Sequence, residues 1–361
     1  MFLEINFLMK RDFYCKFLCL QGRSLFFSAN GFSEGNMIFL NVVILILAFA
    51  ALVKGADVFV DGSSALARLL KIPSIIIGLT VVALGTSMPE LAVSTSAAFS
   101  GANEIALSNV VGSNIFNLLI VLGLCAAIHP VPVDKGILKR DFPLSFFSTI
   151  LVLLASIAPS LFGGKLLSLP MDADSGFVSR WLGIILIILF VTYIVYLIFD
   201  AKGHPSEEND GKILTLWKCL LLIVLGLILI IVGGKAVVYS AQNIARFFGM
   251  SETLIGLTIV AIGTSLPELV TSIVAAKKGE VSLAVGNVLG SNIFNLLFIL
   301  GVSAAINPVS INVASAYDMG ILIFVTLMAW IFSISKRQVG RLEGIVMIFC
   351  YAASTIFAII R

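Results

Sequence analysis

Apolar residues run along this chain in long blocks separated by short polar stretches. Ten blocks can be marked, roughly 38–58, 73–98, 105–127, 143–162, 181–199, 217–241, 252–276, 281–304, 318–334 and 343–360. Most approach the ~20 residues that a helix needs to cross the hydrocarbon of a bilayer. A helix also satisfies its own backbone hydrogen bonds where no water is present. The pattern therefore predicts an all-α integral membrane protein of ten transmembrane helices. The most polar stretch between blocks, 201–214, carries His204, Pro205, Glu207, Glu208, Asn209 and Asp210 and divides the blocks five and five. The expected organisation is an N-terminal extension over 1–36, a first five-helix unit over 37–200, a cytoplasmic linker loop over 201–214 and a second five-helix unit over 215–361. Met37 opens directly onto the first span, and residues 1–36 lack a clean signal-peptide pattern, so the native start is expected at Met37.

Composition strengthens this picture. Hydrophobic residues make up 59% and charged residues 12%, against roughly a quarter charged in soluble chains. A net charge of +3 with dispersed basic residues gives no reason to expect nucleic acid as a partner. The cysteines, Cys15, Cys19, Cys125, Cys219 and Cys350, are scattered, and neither His129 nor His204 lies near the one close pair. They are read as free thiols.

Charge also orients the chain. If the loops after the odd-numbered blocks face the cytoplasm, they hold 13 Lys and Arg, while from residue 37 onward the opposite side holds only Lys165, Arg180, Arg246 and Arg361. The positive-inside rule then places 201–214 in the cytoplasm and both ends of the bundle outside.

Residues 78–117 and 256–295 align without gaps at an offset of 178, with 24 identities in 40 positions. Such self-similarity marks a duplicated unit. An odd number of spans per copy turns the second copy upside down, the inverted-repeat plan of many secondary transporters, whose substrate site lies near the midplane.

Each copy puts one acid inside an apolar block, Glu90 and Glu268. Ionisable groups at that depth are costly and mark ion pathways. The bland alternative is a helix-bracing pair with a buried base, but only Lys54 and Lys235 lie inside other spans, and they do not correspond at the repeat offset. Pro89 and Pro267 precede the acids and predict a helix break that frees carbonyls such as those of Ala83 and Ala261. Thr86, Ser87, Thr264 and Ser265 add hydroxyls. Gly-Ser-Asn-Ile-Phe-Asn then recurs at 112–117 and 290–295, where Ser113 and Asn117, like Ser291 and Asn295, fall on one helical face. Carboxylate, hydroxyl, amide and carbonyl oxygens without thiolate or imidazole suit hard cations, calcium foremost, with sodium as the competitor.

Gly-Thr-Ser-Met-Pro-Glu at 85–90, Gly-Thr-Ser-Leu-Pro-Glu at 263–268 and the two Gly-Ser-Asn-Ile-Phe-Asn stretches resemble the paired alpha repeats of the calcium:cation antiporter superfamily, specifically its sodium/calcium exchanger branch of prokaryotic type. The resemblance implies electrogenic exchange of several sodium ions per calcium, and no enzymatic activity or cofactor. It assigns calcium to Thr86, Glu90, Thr264 and Glu268, sodium to the Ala83 and Ala261 carbonyls with Ser87, Ser113, Ser265 and Ser291, and places Asn117 and Asn295 nearby. Some relatives carry aspartate at the position of Asn295; the amide argues against potassium dependence and leaves two central negative charges. The expected partners are the two ions and the lipid bilayer, with the chain acting as a monomer in the plasma (inner) membrane. A proton/calcium antiporter is the alternative from the same superfamily, and a cation channel the rival from another class.

Overall fold

The computed structural model describes residues 34–162, 170–171, 173–203, 214–250, 259 and 261–360. Cys15, Cys19, the 1–33 part of the extension, His204 to Lys212 of the linker and most of 251–260 lie outside these residues.

Among the described residues eight helices are long and apolar enough to span a bilayer: α1 (Glu34–Leu70), α4 (Glu104–Ile128), α5 (Ile137–Ala158), α6 (Arg180–Gly203), α7 (Leu216–Phe247), α10 (Val281–Ile306), α11 (Val313–Lys336) and α12 (Arg341–Ile360). A ninth span is broken. It consists of α2 (Ser74–Thr86) and α3 (Met88–Ser100), bent by 50°. The block expected over 252–276 is described as α8 (Ala261–Thr264) and α9 (Leu266–Lys277), again interrupted at a serine, Ser265. The first helix runs twelve residues beyond its expected end at 58. Asp61, Gly62 and Ser63 read as a polar exit from the membrane, yet Gly62, Ser63 and Ser64 are buried and the helix continues.

The purely helical expectation needs a second correction. Two short antiparallel strand pairs join the loops: β1 (Val131–Pro132) with β4 (Gln338–Val339), and β2 (Asp174–Val178) with β3 (Val309–Asn312). Backbone leaving a helix must find new hydrogen-bond partners, and neighbouring loops supply them. The pairs also sort the loops. β1 and β4 follow the third and ninth apolar blocks, and β2 and β3 follow the fourth and eighth, so the loops alternate between two faces. Here the face carrying β1 and β4 is called the basic face, since Arg68, Lys71, Lys135, Lys139, Lys277, Lys278, Lys336 and Arg337 lie there. The other is the opposite face.

α4 and α10 are buried along most of their length, whereas α1 and α12 show most of theirs to the surroundings. Trp181 and Trp217, at the starts of α6 and α7, are strongly exposed, as expected of aromatic side chains at the two bilayer interfaces. The long helices α1 and α7 pack together through small residues. A Cβ on Gly226 would sit 2.6 Å from the backbone nitrogen of Phe59, and one on Gly233 would sit 2.8 Å from that of Leu52. Only glycine permits such close approach, the usual device where helices meet in lipid.

Candidate functional site: a buried cage of oxygens

The site lies where the two broken spans face α4 and α10. In Ser-x-Pro-Glu the proline falls in the first turn of the second helix segment, where its missing N–H would have no partner in any case. The actual break is therefore at Ser87 (φ −85°, ψ 12°) and Ser265 (φ −92°, ψ 7°), two residues before each proline. This alters one expectation. The carbonyl opposite Pro89 is that of Gly85, while the Ala83 carbonyl accepts the Ser87 N–H at 3.1 Å. In the second copy the Ser265 N–H goes to Ile262 instead, at 3.1 Å. Of Ala261 only its place at the start of α8 is described.

Both carboxylates are fully buried. Among the described residues neither meets a Lys or Arg, so they are not helix-bracing ion pairs. Their partners are hydroxyls. Glu90 Oε1 accepts from Ser265 at 3.2 Å and from Ser113 at 3.3 Å, and Glu268 Oε1 accepts from Ser87 at 2.7 Å. Each acid is thus held by the break serine of the other copy. Ser113 and Ser265 are 2.9 Å apart.

Asn117 and Asn295 are also fully buried. They spend their donors inside the protein: Asn117 Nδ2 on Asn292 Oδ1 at 3.1 Å, and Asn295 Nδ2 on Asn114 Oδ1 at 3.1 Å and Ser113 at 3.2 Å. Their acceptors are left over. Glu90 Oε2, Glu268 Oε2, Asn117 Oδ1, Asn295 Oδ1 and Ser291 Oγ are buried with no hydrogen-bond partner. Five orphaned oxygens at the predicted positions form a set that a cation, and not another donor side chain, would satisfy. π-helical turns at Asn117–Leu122 and Phe294–Ile299 begin at or beside the two asparagines, a distortion frequent at functional sites.

The asparagine bonds to main-chain carbonyls obey the repeat offset. Asn114 and Asn292 exchange side-chain-to-carbonyl bonds at 3.1 and 3.2 Å. Asn109 reaches Glu90 O at 3.3 Å and Ser94 at 3.0 Å, and Asn287 reaches Glu268 O at 3.4 Å and Ser272 at 2.9 Å. These four asparagines were missed in the sequence reading. Their signal was present, since Asn-Val-x-Gly-Ser-Asn occurs at 109–114 and at 287–292.

The two faces are not alike. Toward the opposite face a cavity of about 530 Å³ opens, lined among others by Ser96, Ser100, Lys235, Tyr239, Pro267 and Thr264. Thr264 is half-buried there, whereas Thr86 is fully buried. Toward the basic face the way is shut. Lys278 bridges Asp57 at 2.5 Å and Asp61 at 2.6 Å, and Arg68 meets Glu280 at 3.3 Å. Partial burial pulls the Lys278 ammonium down, but its bonds to Asp57 and Asp61 outweigh this and hold its pKa above the ordinary 10.5. The clamp therefore stays charged throughout the neutral range; the Lys278 side of it is lost as pH rises above that value, and the Asp57 side in acid.

The sequence profile of the family described as "Sodium/calcium exchanger protein" matches residues 40–199 and 218–360. The chain belongs to the sodium/calcium exchanger family. It is 32% identical over 345 residues to the sodium/calcium exchanger MaX1 of Methanosarcina acetivorans, covering 88% of this chain and 98% of that protein. It is 34% identical over 326 residues to the inner membrane protein YrbG of Escherichia coli, with 85% and 93% covered. A solved structure of the sodium-calcium exchanger NCX_Mj superposes with a TM-score of 0.75 at 32% identity, covering 88% of this chain and 98% of that one. The chain is accordingly a multi-pass membrane transporter of the cation-antiporter type, and its family is one of exchangers and not of catalysts.

Proposed function

We propose that this chain exchanges sodium for calcium by alternating access at the cage formed by Glu90 and Glu268. The observation that carries this reading is the pair of fully buried carboxylates with hydroxyl partners and free oxygens around them. Two carboxylates neutralise one divalent ion. The residues expected to hold calcium are Thr86, Glu90, Thr264 and Glu268. The surrounding oxygens of Ala83, Ser87, Ser113, Ala261, Ser265 and Ser291, with Asn117 and Asn295 beside them, would hold sodium when calcium leaves. A site that either ion can fill, but not both, couples their movements. Calcium accepts such a flexible set of oxygens, whereas magnesium keeps its water.

In this reading ten helices form two inverted five-helix repeats. The strand pairs support it, because Val131 and Val309 lie 178 residues apart and sit in pairs on opposite faces. The excess of Lys and Arg puts the basic face, with loop 201–214, in the cytoplasm, and both bundle ends outside. The membrane is the plasma (inner) membrane, as the name of the Escherichia coli relative supports, and the working unit is a monomer.

The test is sodium-gradient-driven uptake of radioactive calcium into sodium-loaded inside-out vesicles, with and without a proton uncoupler. Uptake that requires internal sodium and survives the uncoupler is expected. Uptake indifferent to sodium but driven by an acid interior would replace sodium by protons as the coupling ion. Calcium flux with no dependence on any counter-ion would point to a channel.

A further inference from the structure

One cross-copy hydrogen bond is formed on one side of the cage only. The Thr86 hydroxyl, fully buried below the closed basic face, lies 3.0 Å from Asn287 Oδ1. The carbonyls of Val82 and Ala83 are farther, at 3.2 and 3.5 Å. At the repeat offset the matching pair is Thr264 and Asn109. Among the described residues these two make no bond to one another, and Thr264 faces the open cavity. Asn109 and Asn287 otherwise do the same job, each tying the carbonyl of its acid and a nearby serine to the neighbouring helix. These two asparagines are thus alike apart from the threonine; elsewhere in the cage Ser113 meets Glu90, Ser265 and Asn295, while its repeat mate Ser291 has no partner among the described residues. The charges follow the same division. Asp57, Asp61, Lys278 and Glu280, which clamp the closed face, correspond to Lys235, Tyr239, Ser100 and Ala102, all of which line the open cavity.

We propose that Asn287 and Asn109 are positioning residues that take turns holding the threonine of the closed side, Thr86 on Asn287 in this conformation and Thr264 on Asn109 in the opposite one. The inference rests on the exchanger reading above, since it concerns how the cage is closed on alternate faces. With the hydroxyl on the asparagine, the Thr86 end of α2 is tied to α10 across the repeat boundary, and the α2/α3 break cannot swing away from the cage. Releasing that bond costs a net hydrogen bond, which moves a two-state population by about fivefold.

The test is the sidedness of calcium affinity in right-side-out and inside-out vesicles. Thr86→Val keeps the shape and removes the hydroxyl. It is expected to raise the apparent KM for calcium at the opposite face and lower it at the basic face, each by about fivefold or less. Thr264→Val and Asn109→Ala should do the reverse, while Thr86→Ser, which keeps the hydroxyl, should leave the ratio of the two KM values where it is whatever it does to their size. Loss of a mere cation ligand, or a general packing defect, would move both faces the same way, and that result overturns the proposal. So would no change in either variant. Deuterium uptake reads the same shift without transport: over 274–283 it should rise in Thr86→Val, while over 92–105 it should fall. This second measurement separates the two ideas, because it can succeed or fail whatever ion the cage carries.

Discussion

The basic and opposite faces of this protein are built from copies of one sequence, yet one is clamped and the other open. On the clamped face Lys278 joins Asp57 and Asp61, and Arg68 joins Glu280. On the open face the corresponding positions are Lys235, Tyr239, Ser100 and Ala102 around a cavity. Between them the cage keeps its twofold pattern: Ser265 on Glu90, Ser87 on Glu268, Asn114 exchanging bonds with Asn292. The duplication thus preserves the centre, where an ion must see the same oxygens from either side, and lets the two exits diverge. Acids bridged by Lys278 at one exit, with Lys235 and Tyr239 at the matching positions of the other, give the two conformations unequal energies. A symmetric cage alone would not do that.

The largest expected effect comes from breaking the centre. Glu90→Gln or Glu268→Gln removes one of the two charges that balance calcium, and calcium uptake by vesicles should fall to background with the protein still inserted. Normal exchange by both variants would mean that the cage is not the transport site. A smaller change sharpens the twofold claim. Asn117→Asp and Asn295→Asp each add a third carboxylate at related positions, and each should steepen the dependence of exchange on pH between about 5 and 8. If only one of them did so, the two amides would not be equivalent.

The next contrast concerns packing away from the cage. Gly226→Ala forces a methyl group against the Phe59 backbone, where Gly226 is the contact point of α1 and α7. Overpacking of this kind costs about 1–3 kcal/mol, to be seen as a lower Tm of the detergent-solubilised chain. The smallest effect belongs to the exit clamp. Lys278→Met leaves Asp61 without that partner and Asp57 with Lys54 alone, and partly exposed ion pairs contribute about 0.2–1 kcal/mol each. The basic face should open more often, seen as faster deuterium uptake over 274–283. Tyr239→Phe, at the repeat mate of Asp61, should leave that segment unchanged.

Much of this was legible in the chain. Hydropathy fixed the spans because lipid tolerates little else, and the offset of 178 matched Glu90, Ser113 and Asn117 with Glu268, Ser291 and Asn295. What escaped had physical reasons. The continuation of α1 to Leu70 was hidden because Gly62, Ser63 and Ser64 are small polar residues that can be buried between helices, so hydropathy alone reads them as an exit. Strands of two to five residues such as Val131–Pro132 carry no periodicity. The break two residues ahead of each proline follows from proline's acceptance in a first helical turn, not from its helix-breaking role. Asn109, Asn114, Asn287 and Asn292 were passed over because an asparagine that binds other asparagines looks, in sequence, like any small polar residue at a helix contact.

The claim on which the rest depends is that Glu90 and Glu268 together hold one calcium that sodium displaces. Equilibrium binding of radioactive calcium to the purified chain, titrated with sodium, tests it most directly. The account predicts one calcium bound per chain, competed away by sodium and absent when both acids are changed to glutamine. Calcium binding unchanged in that double variant, or indifferent to sodium, would contradict it.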